Sequence, residues 1–278
     1  MTHSWLVAYA SVIGAGHIAQ GLPCQDASAY RPLNTDCAIA VVCDGAGSCA
    51  NADLGAAQTV AFALTHFEAL MHQQRFFARL PTQKDWQRLA KQTLLRVRAD
   101  LKAYSEQQGI AFNSLSCTLM VVLVCPKGLL ISHIGDGRAG YCTAQGGWHS
   151  MLTPFKGEEA NQTVFITAAQ LDAKNTDAYI ESRIVAEPVK AFCLLSDGCE
   201  RACYQCNEWD AETQRFYDAN VPYPPFFNPN IEGLLALQKQ HKTQAEINAL
   251  WAAFLKAGTP PLKTETDDKT LLLAVRHV

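Results

Sequence analysis

The chain has no basic run and little excess of charge. Its 23 Lys and Arg stand against 26 Asp and Glu, a net charge of -3. That leaves no electrostatic footprint for a nucleic-acid backbone. No apolar stretch is long enough to span a bilayer. The first residues, MTHSWLVAYASVIG, lack the positive n-region of a secretory signal. The expected setting is therefore the cytoplasm, with neither nucleic acid nor membrane as partner. Internal repeats and low-complexity segments are also missing, which excludes a solenoid or a linker-rich array.

Cysteine is not scarce: there are 11. Most sit inside apolar runs (Cys43, Cys117, Cys125, Cys193), where the thiol serves as a small buried hydrophobe. An odd count with no export signal points to reduced thiols rather than a disulfide framework. With 278 residues, 49% of them hydrophobic, the chain suits one large globular domain or two small ones. We read a single domain over 1–278 with an insertion at about 200–261.

Hydrophobic periodicity orders the elements. WLVAYASVI, Asp26–Tyr30 and Cys37–Cys43 read as strands. Ala56, Val60, Ala63, Phe67 and Leu70 recur at helical spacing. So do Trp86, Leu89, Ala90, Leu94, Val97, Leu101 and Tyr104, in a second helix ended by Gly109. CTLMVVLVC, a PKG turn, LLISHIG and AGYC read as consecutive antiparallel strands. TVFIT, YIESRIV and AFCLLS continue the β pattern. VPYPPFFNPN reads as a proline-broken segment before two helices, IEGLLALQKQ and AEINALWAAFLKAG. LLLAV closes the chain as a strand. The order predicts a mixed α+β layered domain.

Four aspartates stand out against this pattern. Asp44 in AIAVVCDGAGS, Asp136 in LLISHIGDGR and Asp197 in AFCLLSDGCE each follow an apolar run and precede Gly. Asp268, in TETDDKTLLLAV, opens one. An apolar run of this length reads as a buried strand, and the Gly as a sharp turn. The competing reading makes each Asp-Gly pair a hairpin turn. At strand ends, however, a packed sheet can converge the carboxylates. Clustered carboxylates repel unless a cation lies between them, and oxygen donors suit divalent cations.

GAGHIAQGLPCQDA, VVCDGAGS, the Ser-Cys-Thr-Leu strand leading to HIGDGR, LLSDG and DDKTLLLAV, in that order, resemble the metal-dependent protein phosphatases of the PP2C (PPM) type. The style of the first motif is closest to their bacterial stand-alone branch. The resemblance covers nearly the whole chain. It implies a four-layer α/β/β/α sandwich, two antiparallel sheets flanked by helices, with the metals at one edge. It implies a phosphoprotein phosphatase that hydrolyses phosphoserine and phosphothreonine with a metal-activated water. Asp44 would bridge two Mn²⁺ or Mg²⁺ ions and Asp197 and Asp268 would complete the first. The Gly45 carbonyl would ligate the second, and Asp136 would help hold a third. A monomer, a phosphorylated protein substrate and a partner Ser/Thr kinase belong to the same picture. So does a rival: a pseudophosphatase of this fold that binds a phosphorylated partner or regulates a kinase. Retention of Asp44, Asp197 and Asp268 speaks against it.

The chain departs from the pattern at several positions. Gln25 stands where many members carry Glu, which leaves Gln25 and Asp26 as alternatives at the second metal. Position 21 is Gly where relatives place a phosphate-binding Arg. His17 is the nearest cationic candidate, against a plain reading as a structural histidine. Ala46 replaces the His of animal members, and Lys269 stands where an Asn often follows the last aspartate. Ser116, Thr118 and His133 read as packing residues. Cys199, Cys203 and Cys206 have the C-x3-C-x2-C spacing of cluster or zinc ligands. With too little chain downstream for a cluster enzyme and no evident fourth ligand, they read as lining the first helical turns after Asp197.

Overall fold

A computed structural model describes residues 4–155, 163–172 and 176–277. In chain order the elements begin with β1 (Trp5–Val12), α1 (Ala15–Gln20), β2 (Ala27–Pro32), β3 (Ala38–Cys43), α2 (Ala52–Gln74) and α3 (Gln83–Gln108). Next come β4 (Leu119–Cys125), β5 (Gly128–Ile134), β6 (Arg138–Thr143), β7 (Trp148–Ser150), β8 (Glu181–Val185) and β9 (Val189–Leu195). A 3₁₀ turn at Asp197–Cys199 leads into α4 (Glu200–Cys203). Four short strands follow: β10 (Tyr204–Gln205), β11 (Glu208–Asp210), β12 (Arg215–Tyr217) and β13 (Val221–Pro222). The chain ends with α5 (Pro224–Lys239), α6 (Gln244–Ala257), α7 (Pro260–Thr264) and β14 (Lys269–Arg276).

Two five-stranded antiparallel sheets result, ordered β1-β14-β9-β6-β7 and β2-β3-β4-β5-β8. Strands β3 and β4 are apolar and buried on both faces because both faces are covered. Along β3, Ala38, Ala40 and Val42 enter the core between the sheets, while Ile39, Val41 and Cys43 face α2 and α3. Along β14, Leu272 and Ala274 face the other sheet, and Leu271, Leu273 and Val275 face α5 and α6. The four layers expected from the resemblance are thus present.

Tryptophans pin the outer helices. The indole N–H of Trp86 on α3 donates to Ile131 O at 2.8 Å, and that of Trp251 on α6 donates to Leu271 O at 2.8 Å. Trp86 is fully buried. Truncating such a side chain to Ala costs about 3–5 kcal/mol in transfer and cavity terms. Gly109 caps α3 in the left-handed conformation at φ 66°, as read from sequence.

The structure differs from the sequence reading in several places. The insertion at about 200–261, read as helical, also holds strands β10 to β13. Two shorter segments also differ. TVFIT forms no strand. Ile166 N donates to Cys117 O (2.9 Å), and the buried Arg98 takes the carbonyls of Thr167 and Ala168. Its backbone is therefore satisfied by loop and side-chain partners instead of a ladder. VPYPPFFNPN does not break the helix but starts it. Pro224 and Pro225 occupy the first turn of α5, where a missing N–H costs nothing, and Pro229 is carried inside. Burial of Phe226, Phe227, Ile231 and Leu234 holds the helix in place. No described helix is long and apolar enough to cross a membrane.

Candidate active site

The site is built where ends of β3, β9 and β14 meet the chain leaving α1. Asp44 follows β3, and its backbone is clamped by Thr118. Asp44 N–H donates to Thr118 Oγ1 at 3.0 Å, and Thr118 N–H donates to Asp44 O at 2.8 Å. Thr118, read from sequence as packing alone, therefore fixes the direction of Asp44.

Gly45 is required by proximity. A Cβ placed there would stand 2.5 Å from the carbonyl oxygen of Gln25. Gly198, after Asp197, is required for the same reason: a Cβ would stand 1.9 Å from the carbonyl oxygen of Asp268. At these two Asp-Gly pairs the glycine allows one strand end to lie against another. Neither adopts a positive φ, so neither pair is the hairpin turn of the competing reading.

Asp26 is buried, and its Oδ2 accepts from Ser196 Oγ at 2.7 Å. Its pKa is pushed up to about 7, first by burial, with hydrogen bonds from Ser196 and Thr270 pulling the other way. Asp197 is likewise pushed up to about 7, by burial and then by the charges of Asp136 and Asp267; a hydrogen bond with Asp44 offsets part of this. Asp44 is held well above the ordinary carboxylate range by burial, then by Asp26, Asp197, Asp136 and Asp267. Six carboxylates therefore meet in a poorly solvated edge of the sandwich, with Asp268 acting on Asp26.

Asp268 is held by backbone donors. Its Oδ1 accepts from Gly14 N–H at 2.7 Å and its Oδ2 from Gln25 N–H at 2.5 Å. His17 Nδ1 lies 3.0 Å from the same Oδ2, without the angle of a hydrogen bond. Both oxygens are committed to backbone, and the carboxylate ties the last strand to the two segments around α1. From this end of the chain the larger charge acting on Asp44 and Asp197 is that of the neighbouring Asp267, while at Asp26 it is that of Asp268.

Gln25 is buried, and its Oε1 has no hydrogen-bond partner among the described residues. An uncompensated buried amide oxygen is costly, and it stands beside the acidic edge. Among the described residues no three His, Cys, Asp or Glu side chains already form a metal-holding arrangement. His17 is also buried, with Nε2 toward Gly47 on the loop after Asp44. His133 is buried, and desolvation lowers its pKa to about 4, as suits a neutral structural imidazole. Cys199 and Cys203 are buried in the layer beneath α5 and α6, where desolvation pushes both thiols up. Cys199 and Cys203 lie in the first helical turns after Asp197, as read from sequence, but Cys206 falls outside them, after β10.

The residues missed from sequence are Thr118, Ser196, Thr270 and Asp267. Ser196 was detectable as the residue before Asp197. Asp267 was half of an Asp-Asp pair whose register an apolar run cannot fix.

A layered sandwich with an acidic edge fed by strand ends defines a class of hydrolytic scaffold, and the comparisons agree on which one. The protein phosphatase 2C family matches residues 13–250. The chain belongs to that family. It is 33% identical over 279 residues to Serine/threonine-protein phosphatase 3 of Escherichia coli (strain K12), covering 98% of each chain. It shares its fold with the serine-threonine phosphatase 2C of Toxoplasma gondii (TM-score 0.61, 12% identity, 100% of this chain and 96% of that one). The same holds for the phosphatase Stp1 of Staphylococcus aureus (TM-score 0.56, 14% identity, 100% and 98%).

Proposed function

We propose that this chain is a divalent-cation-dependent phosphatase that releases phosphate from phosphoserine and phosphothreonine in proteins. The observation that carries the reading is the concentration of Asp26, Asp44, Asp136, Asp197 and Asp267 at one desolvated edge. The largest charges acting on Asp26, Asp44 and Asp197 are those of one another and of Asp136, Asp267 and Asp268, all of them negative. A pseudophosphatase has no use for such an edge, because uncompensated buried carboxylates cost stability.

The donor set is all oxygen, which suits Mn²⁺ or Mg²⁺ rather than zinc. Asp44 would contribute to both ions, with Asp197 and Asp267 as the further carboxylates for the first. Asp267 takes the place that the sequence pattern gave to Asp268. The Gly45 carbonyl and Gln25 Oε1 complete the second, with Asp26 as the alternative, and Asp136 is left for a third. Held there, such ions would supply a lowered pKa for bound water and stabilisation of charge on a transferring phosphoryl group.

The remaining work falls to the chain. Thr118 and Ser196 hold Asp44 and Asp26 in direction. Asp268 closes the Gly14–Gln25 segment onto β14. His17, with Nε2 toward the loop after Asp44, is the candidate contact for a phosphate oxygen. The test is initial rates on a phosphothreonine peptide in a Mn²⁺ titration. Rates should rise with Mn²⁺ and vanish in excess EDTA. Full activity in EDTA would overturn the proposal.

A further inference from the structure

Five of the seven large hydrophobic side chains exposed among the described residues lie within 15 positions: Trp209, Phe216, Tyr217, Val221 and Tyr223. Scattered exposed hydrophobics are ordinary, but a group of them marks an interaction surface. Trp209, Phe216 and Tyr217 lie on the β11–β12 hairpin, which forms an arm; Val221 on β13 and Tyr223 before α5 lie at its base. Trp209 pairs with Phe216 across the hairpin, so both share one face, with ring centroids 5.0 Å apart and edge to face. Trp209 is 55% exposed and Phe216 62%. A two-stranded ribbon in water is marginal by itself.

The root of the arm is rigid. β10 pairs with β13 at its base. Arg138, fully buried on β6, clamps it. Its Nε and Nη2 donate to Glu200 Oε2 at 3.0 and 2.8 Å, and its Nη1 and Nη2 to the two oxygens of Asp218 at 3.1 and 2.7 Å. Nη1 also donates to Asn220 Oδ1 at 2.8 Å, and the guanidinium lies over the Tyr204 ring at 5.2 Å. Arg138 is two residues from Asp136 and Glu200 three from Asp197. The arm is thus rooted in both loops that bring these aspartates to the acidic edge.

The arm is also acidic. Asp218 and Glu200 are taken up by Arg138. Glu208, Asp210 and Glu212 remain against the single guanidinium of Arg215. Aromatic faces with carboxylates beside them are complementary to guanidinium and ammonium groups. We infer that this aromatic, acidic arm docks a basic polypeptide segment flanking the phosphorylated residue of a protein substrate.

The inference rests on the phosphatase reading, and the experiment separates the two. Hydrolysis of p-nitrophenyl phosphate and of two phosphothreonine peptides, one with Arg/Lys flanks and one with Ala flanks, is measured for wild type and for Trp209→Ala/Phe216→Ala in saturating Mn²⁺. Wild type should favour the basic peptide about 10-fold in kcat/KM, mainly through KM. The double variant should lose that preference and keep its rate on p-nitrophenyl phosphate within about twofold. In parallel, a fluorescein-labelled, unphosphorylated basic peptide should bind wild type in EDTA by anisotropy, more weakly at high salt, and should not bind the variant. Equal kcat/KM for both peptides, or a preference that survives the double variant, overturns docking while leaving the phosphatase reading intact. An equal loss on all three substrates shows that the arm only supports the fold, and also overturns docking. If wild type hydrolyses none of them, the phosphatase reading fails and the inference falls with it.

Discussion

Replacing Asp26 with Asn should flatten the pH dependence of metal-free stability. The folded-state pKa of Asp26 is about 7 against an ordinary 3.8. A carboxyl whose pKa is raised on folding binds its proton more tightly in the native state. Between about pH 4 and 7 the folded protein holds a proton that the unfolded chain has released. Stability is therefore highest at the acid end of that window and is lost as pH rises, by about 1.4 kcal/mol per pH unit. Over the whole window this is about 4 kcal/mol, and from pH 5 to 8 about 3 kcal/mol. Asp197 shifts the same way, so wild type should slope more steeply than one group alone dictates. Removing the Asp26 charge also removes one of the charges that raise Asp44 and Asp197. The assay is urea unfolding in EDTA at pH 5, 6, 7 and 8, followed by tryptophan fluorescence. Wild type should lose stability steadily toward pH 8, and Asp26→Asn should lose about 3 kcal/mol less over the same range with an unchanged m-value. Saturating Mn²⁺ should flatten the wild-type slope. A flat wild-type profile in EDTA, or identical slopes for both proteins, would refute the electrostatic picture of this edge.

Asp44→Asn and Asp197→Asn should each lose about 10³-fold or more in kcat on a phosphothreonine peptide, while the melting temperature in EDTA holds or rises because like-charge repulsion is relieved; unfolding of both would make them structural. Asp267→Asn and Asp268→Asn should separate by readout. The first should lose its Mn²⁺ response and keep its fold, whereas the second should lose about 2–4 kcal/mol of stability, since two buried backbone donors depend on its oxygens. The reverse outcome would restore Asp268 as the ligand. Gln25→Glu should lower the Mn²⁺ concentration for half-maximal rate, because hard cations bind more tightly as ligand charge grows. An unchanged midpoint there, with a large shift in Asp26→Asn, would give the second ion to Asp26.

Much of the sandwich was legible because its strands are buried on both faces. CTLMVVLVC and LLISHIG could hardly be anything but inner strands once the PKG turn joined them. TVFIT misled because it carries the same β-branched, apolar composition, but its backbone partners lie far away at Cys117 and Arg98, which no local pattern records. VPYPPFFNPN misled because prolines count against a helix unless they fall in its first turn, and only the burial of Phe226 and Phe227 fixes where that turn begins. At the site, the order of the Asp-Gly motifs pointed to Asp44, Asp136 and Asp197, whose charges the fold brings together. It did not give the register of Asp267 and Asp268. In a pair opening a strand one carboxylate faces the cluster and the other the backbone, and that choice depends on Gly14 and Gln25, more than 240 residues away in sequence. The role of Ser196 was hidden for the same reason, since its partner Asp26 lies 170 residues earlier.

The most direct test of the acidic edge as a divalent-cation site is equilibrium Mn²⁺ binding by isothermal titration calorimetry, on metal-free wild type and on Asp44→Asn and Asp268→Asn. Wild type should take up at least two ions per chain. Asp44→Asn, without the bridging carboxylate, should lose both at the same Mn²⁺ concentrations. Asp268→Asn, examined where it remains folded, should still bind. No saturable Mn²⁺ binding by wild type, or binding that Asp44→Asn leaves untouched, would contradict the assignment of this edge as the catalytic metal centre.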